Sequence, residues 1–436
     1  MTSLCIAAER NWIERHQALE RTRSTLRFFD SRAFQQRGWF YHWLDAKTGE
    51  RRWNSEVSSI DTALLLAGVL TVRQCFAKDA EIVRLATRIY ERVDFRWMLN
   101  GDPLLLSHGW KPESGFLKAR WDTYSEDTIL YVLAVASPTH PISPAAWYAL
   151  WRDRYRYEGH NYFTTIGVPL FMHQYAHAWI DYRNRRENRG DRIDYFQNSI
   201  AATLAHRAFC INLRHEFPAY GPDVWGITAS DSAKGYLAWG GPPRDPDIDG
   251  TIVPSAAGGS LMFTPELATQ ALQKMYETYS RTIYGRYGFV DAFNPKIGWT
   301  DTDMIGINVG IILLSAENMR SGNVWRWFMR NREIPRALDR IGLRSRTQPG
   351  RPVSPRATET GQAIRGRQHE NAGATSAFET GKMLLDHQWF RRGTSNDDGE
   401  DERTPARRDH GMSTTCAQDG ENRENALEQW RKRWRS

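Results

Sequence analysis

The chain of 436 residues contains 41% hydrophobic and 25% charged residues, a composition that is ordinary for a soluble globular protein. Its formal net charge of +7 is small for this length, and the basic residues are scattered among nearly as many acidic ones, which argues against a nucleic-acid-binding protein. The sequence has no stretch of about twenty apolar residues and no visible signal peptide. As written, it predicts no membrane span and a cytoplasmic location, or a periplasmic one if the N-terminus is incomplete.

Helical periodicity recurs from the N-terminus to about residue 340. A charged amphipathic helix is predicted over 7–30, and an aromatic loop or hairpin follows around the turn at 45–49. The stretch 55–68 predicts a buried helix, because Ser55 can cap it and the residues after Asp61 are apolar almost all round. The predicted helices from there on lie at about 57–77, 79–93, 125–136, 144–156, 171–186, 192–215, 265–281, 303–320 and 322–331.

These helices predict an all-α fold. Some are apolar all round and others are amphipathic, as an inner and an outer ring of helices would require. Strand-like alternation is scarce, and the absence of a fixed-period repeat favours an α/α barrel over a helical solenoid. The Gly- and Pro-rich stretch 217–265 is too long for an idle connection and is expected to be functional. From 345 to 436 the composition becomes that of a low-complexity, disordered tail.

Tryptophans beside glycines in predicted loops suggest a binding cleft. Trp110, Trp225 and Trp239 each adjoin a glycine, where a purely structural role is a weak explanation. An indole ring can stack on the apolar face of a pyranose, whose hydroxyl groups need charged or amide partners. The pattern therefore predicts a carbohydrate-binding cleft.

Carboxylates at several predicted helix starts could supply the chemistry of such a cleft. Glycoside hydrolysis needs one carboxylic acid to protonate the leaving oxygen and one carboxylate to activate water or to attack directly. The candidates are Glu56, Asp61, Glu113, Glu126, Asp127, Asp231, Asp301 and Asp303. A single acidic residue in a first helical turn is usually a capping residue. Three such helix starts beside Trp-rich loops favour a shared site.

The sequence predicts no cofactor and no metal. His173 and His177 are four residues apart on a predicted helix, but the glutamate of a zinc motif is missing between them, which favours hydrogen-bonded histidines in a polar pocket. The stretch 245–250 resembles the start of a calcium-binding loop, yet Ala256 stands where the loop needs a glutamate. The four cysteines, Cys5, Cys75, Cys210 and Cys416, have neither paired nor metal-type spacing.

Nine motifs along residues 20–340 resemble the bacterial glucoamylase-like domain family, which includes the β-1,2-glucanases of glycoside hydrolase family 144 and a module of cyclic β-1,2-glucan synthases. They are Gly-Trp-Phe-Tyr-His at 38–42, the stretch 55–66, Gly-Trp-Lys-Pro-Glu at 109–113, Ala-Ser-Pro-Thr-His-Pro at 136–141, His-Gln-Tyr-Ala-His-Ala-Trp-Ile-Asp at 173–181, Trp-Gly-Ile-Thr-Ala-Ser-Asp at 225–231, Ala-Trp-Gly-Gly-Pro-Pro at 238–243, Gly-Phe-Val-Asp-Ala-Phe-Asn at 288–294 and Glu-Asn-Met-Arg-Ser-Gly at 317–322. Their number and order make a chance match an unlikely explanation.

The resemblance implies an (α/α)6 barrel, a six-hairpin toroid, that hydrolyses β-1,2-glucan with inversion and without metal. In this reading residues 1–30 pack on a catalytic barrel of residues 31–344, and the protein is a monomer that acts on an oligo- or polysaccharide. Glu126 is the expected acid and Asp303 the expected base. The expected substrate contacts are Glu56, Asp61, Trp110, Glu113, Trp121, His173, Gln174, Tyr175, His177, Trp225, Thr228, Asp231 and Trp239.

One departure from the family pattern keeps other functions open. Related sequences often carry an acidic residue and glutamine where this chain has Asn308 and Val309. The first alternative is therefore a non-catalytic or chain-length-controlling glucan-binding module. The second is a transglycosylase associated with cyclic glucan synthesis, which would form rings without new reducing ends.

Overall fold

The computed structural model describes residues 1–165 and 169–345. The predicted tail over 345–436 therefore lies outside the described residues, apart from its first residue. The α-helices are α1 Thr2–Glu9, α2 Arg15–Ser31, α3 Ser59–Cys75, α4 Ala80–Glu91, α5 Phe95–Met98, α6 Thr128–Ala136, α7 Tyr175–Trp179, α8 Tyr195–Asn212, α9 Pro254–Gly258, α10 Pro265–Ile283, α11 Gly306–Ser321, α12 Asn323–Met329 and α13 Glu333–Arg340. Short 3₁₀ helices lie at Pro144–Ala149, Leu170–His173 and Leu213–His215.

The fold is mainly helical, but the all-α prediction is corrected by short antiparallel strands. They are β1 Gln35–Gln36, β2 Trp39–Phe40, β3 Val57–Ser58, β4 Gly109–Lys111, β5 Gly115–Phe116, β6 Asp153–Tyr157, β7 His160–Thr164, β8 Arg185–Glu187, β9 Tyr284–Gly285, β10 Gly288–Phe289, β11 Phe293–Asn294, β12 Trp299–Thr300 and β13 Leu343–Ser345. Most pair as hairpins between helices; β3, β4 and β5 form one three-stranded sheet, and β8 pairs with β13. Strands of two or three residues are too short to produce a recognisable period-2 pattern in the sequence.

Three predicted helices have different boundaries or structures. The helix predicted over 7–30 is two helices, α1 and α2, because Asn11 adopts a left-handed conformation with φ of 55° that ends the first. The prediction over 144–156 covers a 3₁₀ helix and most of β6, and that over 171–186 covers a 3₁₀ helix, α7 and part of β8. None of the helices in the described ranges is long and apolar enough to cross a membrane.

Helix α3 is buried as predicted, although its cap is a different residue. The N–H of Asp61 donates to Oγ of Ser58, 3.2 Å away, whereas Ser55 contacts the backbone of Trp43. Helix α3 packs against α1, α4, α6 and α12. Because α3 has neighbours on several sides, its apolar residues extend around most of its circumference.

The helices at the two ends of the described chain pack on each other and on the centre. Helix α1 contacts α3, α11 and α12, and α13 contacts α6. Arg10 donates two hydrogen bonds, of 2.9 and 2.7 Å, to the fully buried carboxylate of Glu317 in α11. A second apolar core lies between α8, α9, α10 and the stretch 217–263, which is why that long Gly- and Pro-rich segment is ordered.

Candidate active site

Glu126 lies in a turn that leads directly into α6, whose nine residues are all buried. The turn is closed by reciprocal hydrogen bonds between Ser125 and Asp127: each backbone N–H donates to the other residue's side-chain oxygen, over 3.0 and 3.3 Å. Glu126 is only 6% exposed, and its Oε2 has no hydrogen-bond partner among the described residues. Burial raises the pKa of Glu126 to about 7, with a smaller contribution from the charge of Asp61. Its carboxyl group is therefore suited to donate a proton near neutral pH.

Asp127, the adjacent candidate, is fully buried and serves the turn itself. Burial, followed by the neighbouring Glu126, raises the pKa of Asp127 well above its ordinary value. Its Oδ1 accepts the N–H of Ser125. We therefore assign Asp127 to holding the turn that positions Glu126.

Glu56 and Asp61 converge on one histidine that the sequence prediction did not include. Nδ1 of His42 lies 3.2 Å from Oε1 of Glu56, and Nε2 lies 3.6 Å from Oδ2 of Asp61. Asp61 also accepts a hydrogen bond of 2.5 Å from Oγ of Ser58, at the N-terminus of α3. The pairing of β3 with β4 brings Glu56 close to Gly109, where a Cβ atom would collide with the carbonyl oxygen of Val57.

Asp231, Asp301 and Asp303 form a second acidic group. Carboxylate oxygens of the three lie within 4.8 Å of one another. Asp303 is exposed, and its N–H donates to Oδ1 of Asp301 over 3.0 Å. Burial raises the pKa of Asp301, and the charges of Asp231 and Asp303 add to the shift. Among the described residues, this is the group of three side chains whose oxygens are close enough to bind one metal ion. A set made only of carboxylates would suit a hard cation such as Ca²⁺.

Asp291 connects this acidic group to the helices, and the sequence prediction missed it. Its Oδ2 accepts the N–H of Asp231 over 2.9 Å, and its Oδ1 accepts a hydrogen bond from the side-chain amide of Asn308. The hydroxyl of Tyr175 donates to Oδ1 of Asn308 over 2.7 Å. Burial raises the pKa of Asp291 to about 6, while the amide of Asn308 opposes that shift. The motif at 288–294 contained Asp291, but no local signal there marks an acidic site.

Carboxylates from both sides of the site act electrostatically on one tyrosine, Tyr236, which the sequence prediction missed. After burial, the charges of Glu126, Asp291, Asp231 and Asp61 all raise the pKa of its phenol. Coulombic effects of this kind require the charges to lie near the phenol. We therefore group the predicted residues Glu126, Asp61 and Asp231 as one candidate acidic site and add Asp291 and Tyr236 to it.

Three further predicted contacts lie around β4 and the strands that adjoin it. Trp110 is half-buried and packs on Trp97 with ring centroids 5.7 Å apart. Glu113 is exposed and forms an ion pair with Arg51, whose guanidinium lowers the pKa of Glu113. Trp121 is buried, and its Nε1 donates to Oγ of Ser59 over 2.8 Å, which fixes the segment before Glu126 against α3.

A second set of predicted contacts is buried and hydrogen-bonded within the protein. The ring nitrogens of His173 lie 3.4 Å from the hydroxyl of Tyr124 and 3.3 Å from that of Thr164, and Nε2 of His177 lies 3.0 Å from Oγ of Ser199. Burial lowers the pKa of both histidines to about 3, so they are neutral. The buried members of the set are His173, Gln174, Tyr175, His177 and Thr228. Their hydrogen bonds within the protein support the site, while direct contact with a substrate stays a prediction.

Trp225 and Trp239 are among the most deeply buried of the predicted substrate contacts. They are 0% and 1% exposed and belong to the second apolar core. Neither indole has a face open to a sugar. A glycine beside a tryptophan therefore marked a tightly packed loop at these two positions, because small residues allow the bulky ring to be covered by backbone.

Comparisons with known proteins agree on one family. A family model described as "Putative glucoamylase" matches residues 118–332. The structure is similar to the endo-β-1,2-glucanase from Chitinophaga pinensis, with 32% sequence identity, a TM-score of 0.73, and coverage of 79% of this chain and 86% of that one. It is also similar to a β-1,2-glucanase from Parabacteroides distasonis, with 25% identity, a TM-score of 0.73, and coverage of 78% and 53%.

A curated relative in sequence is the exo β-1,2-glucooligosaccharide sophorohydrolase (non-reducing end) from Parabacteroides distasonis. The two are 26% identical over 371 residues, which cover 76% of this chain and 50% of the relative. The chain thus spans about half the length of that relative.

Proposed function

Because the chain belongs to the bacterial glucoamylase-like domain family, which includes the β-1,2-glucanases of glycoside hydrolase family 144, we propose that it is a glycoside hydrolase that cleaves β-1,2-linked glucan. The names of the relatives support this substrate: one is an endo-β-1,2-glucanase and another is a sophorohydrolase. The acidic site supports the reaction class, since glycoside hydrolysis is carried out by paired carboxyl groups.

The observation that carries the proposal is the environment of Glu126. A carboxyl group with a pKa of about 7 is about half protonated at neutral pH, and its buried Oε2 has no hydrogen-bond partner among the described residues. In the proposed reaction Glu126 gives this proton to the glycosidic oxygen as the bond to the anomeric carbon breaks.

Asp303 is the proposed base. It takes a proton from water, and the water oxygen bonds to the anomeric carbon from the face opposite the leaving group, so that the product anomer is inverted. Its exposure gives water access to the carboxylate, and Asp301 fixes its backbone through the hydrogen bond to its N–H. Glu56 and Asp61, which flank His42, are the proposed acceptors for sugar hydroxyl groups.

We extend the proposal to the architecture: residues 31–344 form one catalytic (α/α)6 barrel, on which residues 1–30 pack. The packing of α1 and α12 on α3, and of α13 on α6, supports a closed arrangement of helices. Helices such as α4 and α10 bury one face, as members of an outer ring would. We propose that one copy of the chain suffices for activity.

The experiment is incubation of the full chain with linear β-1,2-glucan, with new reducing ends and the anomer first released both followed. We expect short oligosaccharides of inverted configuration. Glu126→Gln should lower kcat at least a hundredfold, because its amide cannot supply the proton. Glu266→Gln, at the exposed start of α10, is the matched control and should be unaffected.

Near-normal turnover by Glu126→Gln would contradict the assignment of the acid. Retained configuration in the first product would instead indicate a covalent intermediate and reject Asp303 as a base for water.

A glucan-binding module without efficient catalysis is the second candidate, and Asn308 is the observation that favours it. Its side chain is buried within the acidic site and contacts Asp291, where related sequences often have a carboxyl group. Binding of linear β-1,2-glucan without any new reducing ends would support this function. Gain of reducing-end release in Asn308→Asp would then identify the missing carboxyl group.

A further inference from the structure

Two exposed tryptophans form a surface beside the acidic site. Neither of them is among the predicted substrate contacts. Trp43 is 44% exposed and Trp53 is 70% exposed, and their rings meet edge to face with centroids 5.2 Å apart. We call these two residues the tryptophan platform. Isolated exposed apolar side chains are common, but two adjoining indoles at the edge of an acidic site form a specific surface.

The tryptophan platform is continuous with the acidic site. The ring of Trp43 stacks on that of His42, with centroids 5.0 Å apart and an angle of 14° between the planes. His42 in turn contacts Glu56 and Asp61. A linear glucan bound at Glu56 and Asp61 would therefore extend across His42 onto the indole rings.

Folding alone does not account for the conformation of Trp53. Its φ is 51°, in the left-handed region that bulky side chains rarely adopt, and Asn54 follows with a φ of 50°. Because the Trp53 side chain is mostly exposed, its burial contributes little free energy to offset this backbone strain. Strain of this kind is found preferentially at binding and active sites.

The loop that carries the tryptophan platform is held in place before any ligand binds. The N–H of Arg52 donates to the carbonyl of Trp43 over 2.9 Å, and the guanidinium of Arg51 donates to the carbonyl of Ser55 over 2.6 Å and pairs with Glu113. Rings that are fixed in advance lose little conformational freedom on binding.

We infer that Trp43 and Trp53 form an outer sugar-binding subsite that stacks glucosyl units of the glucan beyond those held at the acidic site. This inference rests on the proposed function. Aromatic faces match the apolar faces of pyranose rings, and the neighbouring carboxylates accept their hydroxyl groups. The occupant is thus the extended part of a long β-linked glucan, which a short oligosaccharide would not reach.

The test compares long linear β-1,2-glucan with oligosaccharides of three or four units, using Trp53→Asn in the full chain. Asparagine tolerates the left-handed conformation, so this variant removes the indole while the loop is retained. We expect KM for the long glucan to rise roughly tenfold with kcat little changed, and kcat/KM for the short substrates to stay the same. Trp53→Phe should recover most of the affinity, and Tyr276→Ala, which removes an exposed aromatic ring from α10, should match the parent.

An unchanged KM for the long glucan, or an equal loss on long and short substrates, would overturn the subsite. Failure of the proposed function is a separate result, because the parent chain would then release no reducing ends at all. In that case affinity electrophoresis in gels containing long β-1,2-glucan still decides the inference. Retardation of the parent and its loss in Trp53→Asn supports the platform, and equal mobility of the two proteins rejects it.

Discussion

The burial of Glu126 lowers stability, and the same burial raises the pKa of this proposed acid. Its pKa of about 7 exceeds the ordinary value of 4.5, so folding favours the protonated form. Between these two pH values the folded state binds more protons than the unfolded state does, and stability falls as pH rises. Above pH 7 the buried negative charge opposes folding by about 3 kcal/mol.

Glu126→Gln should therefore stabilise the protein at pH 8 and have little effect at pH 5. The expected gain in the free energy of unfolding at pH 8 is about 2–3 kcal/mol, because glutamine keeps the shape of the side chain without its charge. Urea unfolding at the two pH values measures it, with Glu266→Gln as the exposed control. A gain that is the same at both pH values would show that ionisation of Glu126 is not its cause.

The charge of Asp61 should contribute, after burial, to the upper pH limit of activity. Asp61 helps to raise the pKa of Glu126, so Asp61→Asn should lower that pKa and move the decline of kcat/KM to lower pH. Glu56→Gln removes the other carboxylate that contacts His42 and is the matched control, for which we expect a smaller displacement. The pH profile of kcat/KM is measured for each variant. If the pH at which kcat/KM declines is unchanged in Asp61→Asn, the charge of Asp61 does not raise the pKa of Glu126.

At the scale of elements, the buried ion pair between Arg10 and Glu317 joins α1 to α11. Glu317 is fully buried and also accepts hydrogen bonds of 2.6 Å from Ser321 and Asn323. These neutral donors cannot replace the charge of Arg10. Loss of one partner from a buried pair leaves the other charge without compensation.

Arg10→Ala should accordingly lower the free energy of unfolding by about 3 kcal/mol. Arg27→Ala provides the comparison, because Arg27 makes the same two-bond contact with Glu81 at an exposed position. Solvent screens that pair, so its loss should be far smaller. The two variants are compared by urea unfolding; equal losses would show that burial of Glu317 does not strengthen the contact.

The long elements were predictable from sequence, and the short ones were not. Helices α3, α4, α8, α10 and α11 each span three or more turns, so their apolar periodicity is evident. Around α7 the chain contains a 3₁₀ helix, five helical residues and β8, none of which is long enough to show a period. There tertiary contacts, such as the pairing of β8 with β13, determine the local structure.

At the scale of the whole molecule, the acidic site is assembled from four distant segments. Its carboxylates come from the start of α3, the turn before α6, the stretch after Thr228 and the hairpin before α11. The chemistry of individual residues marked Glu126, Asp61 and Asp303 in the sequence. Asp291 and Tyr236 could not be found in this way, since only the folded chain brings them beside those residues.

The tryptophans also show that the sequence alone does not reveal which residues the fold brings to the site. Trp225 and Trp239 look like cleft residues in the sequence but lie in the second core, whereas Trp53, which no sequence argument selected, is exposed beside the site. Composition identifies an aromatic-rich protein, but which ring is covered depends on the packing of residues far apart in the chain.

Packing of the C-terminal helices should determine the stability of the site as well as that of the fold. Trp325 in α12 is 3% exposed, and its Nε1 donates to the carbonyl of His177 over 2.6 Å. We expect Trp325→Ala to lower the free energy of unfolding by about 3–5 kcal/mol. Tryptophan fluorescence, circular dichroism and enzymatic activity should be lost at one common urea concentration; activity lost well before the other signals would indicate that the site unfolds separately.

The pairing of Arg10 with Glu317 also has a consequence for synthesis on the ribosome. The two residues are 307 positions apart, and at roughly 5–20 residues per second the second follows the first by about 15–60 s. Throughout that interval Arg10 lacks its native partner Glu317, and the face of α1 that α11 and α12 later cover is not yet packed. Helix α1 thus leaves the ribosome well before α11 and α12, and its native contacts are completed only when those helices follow.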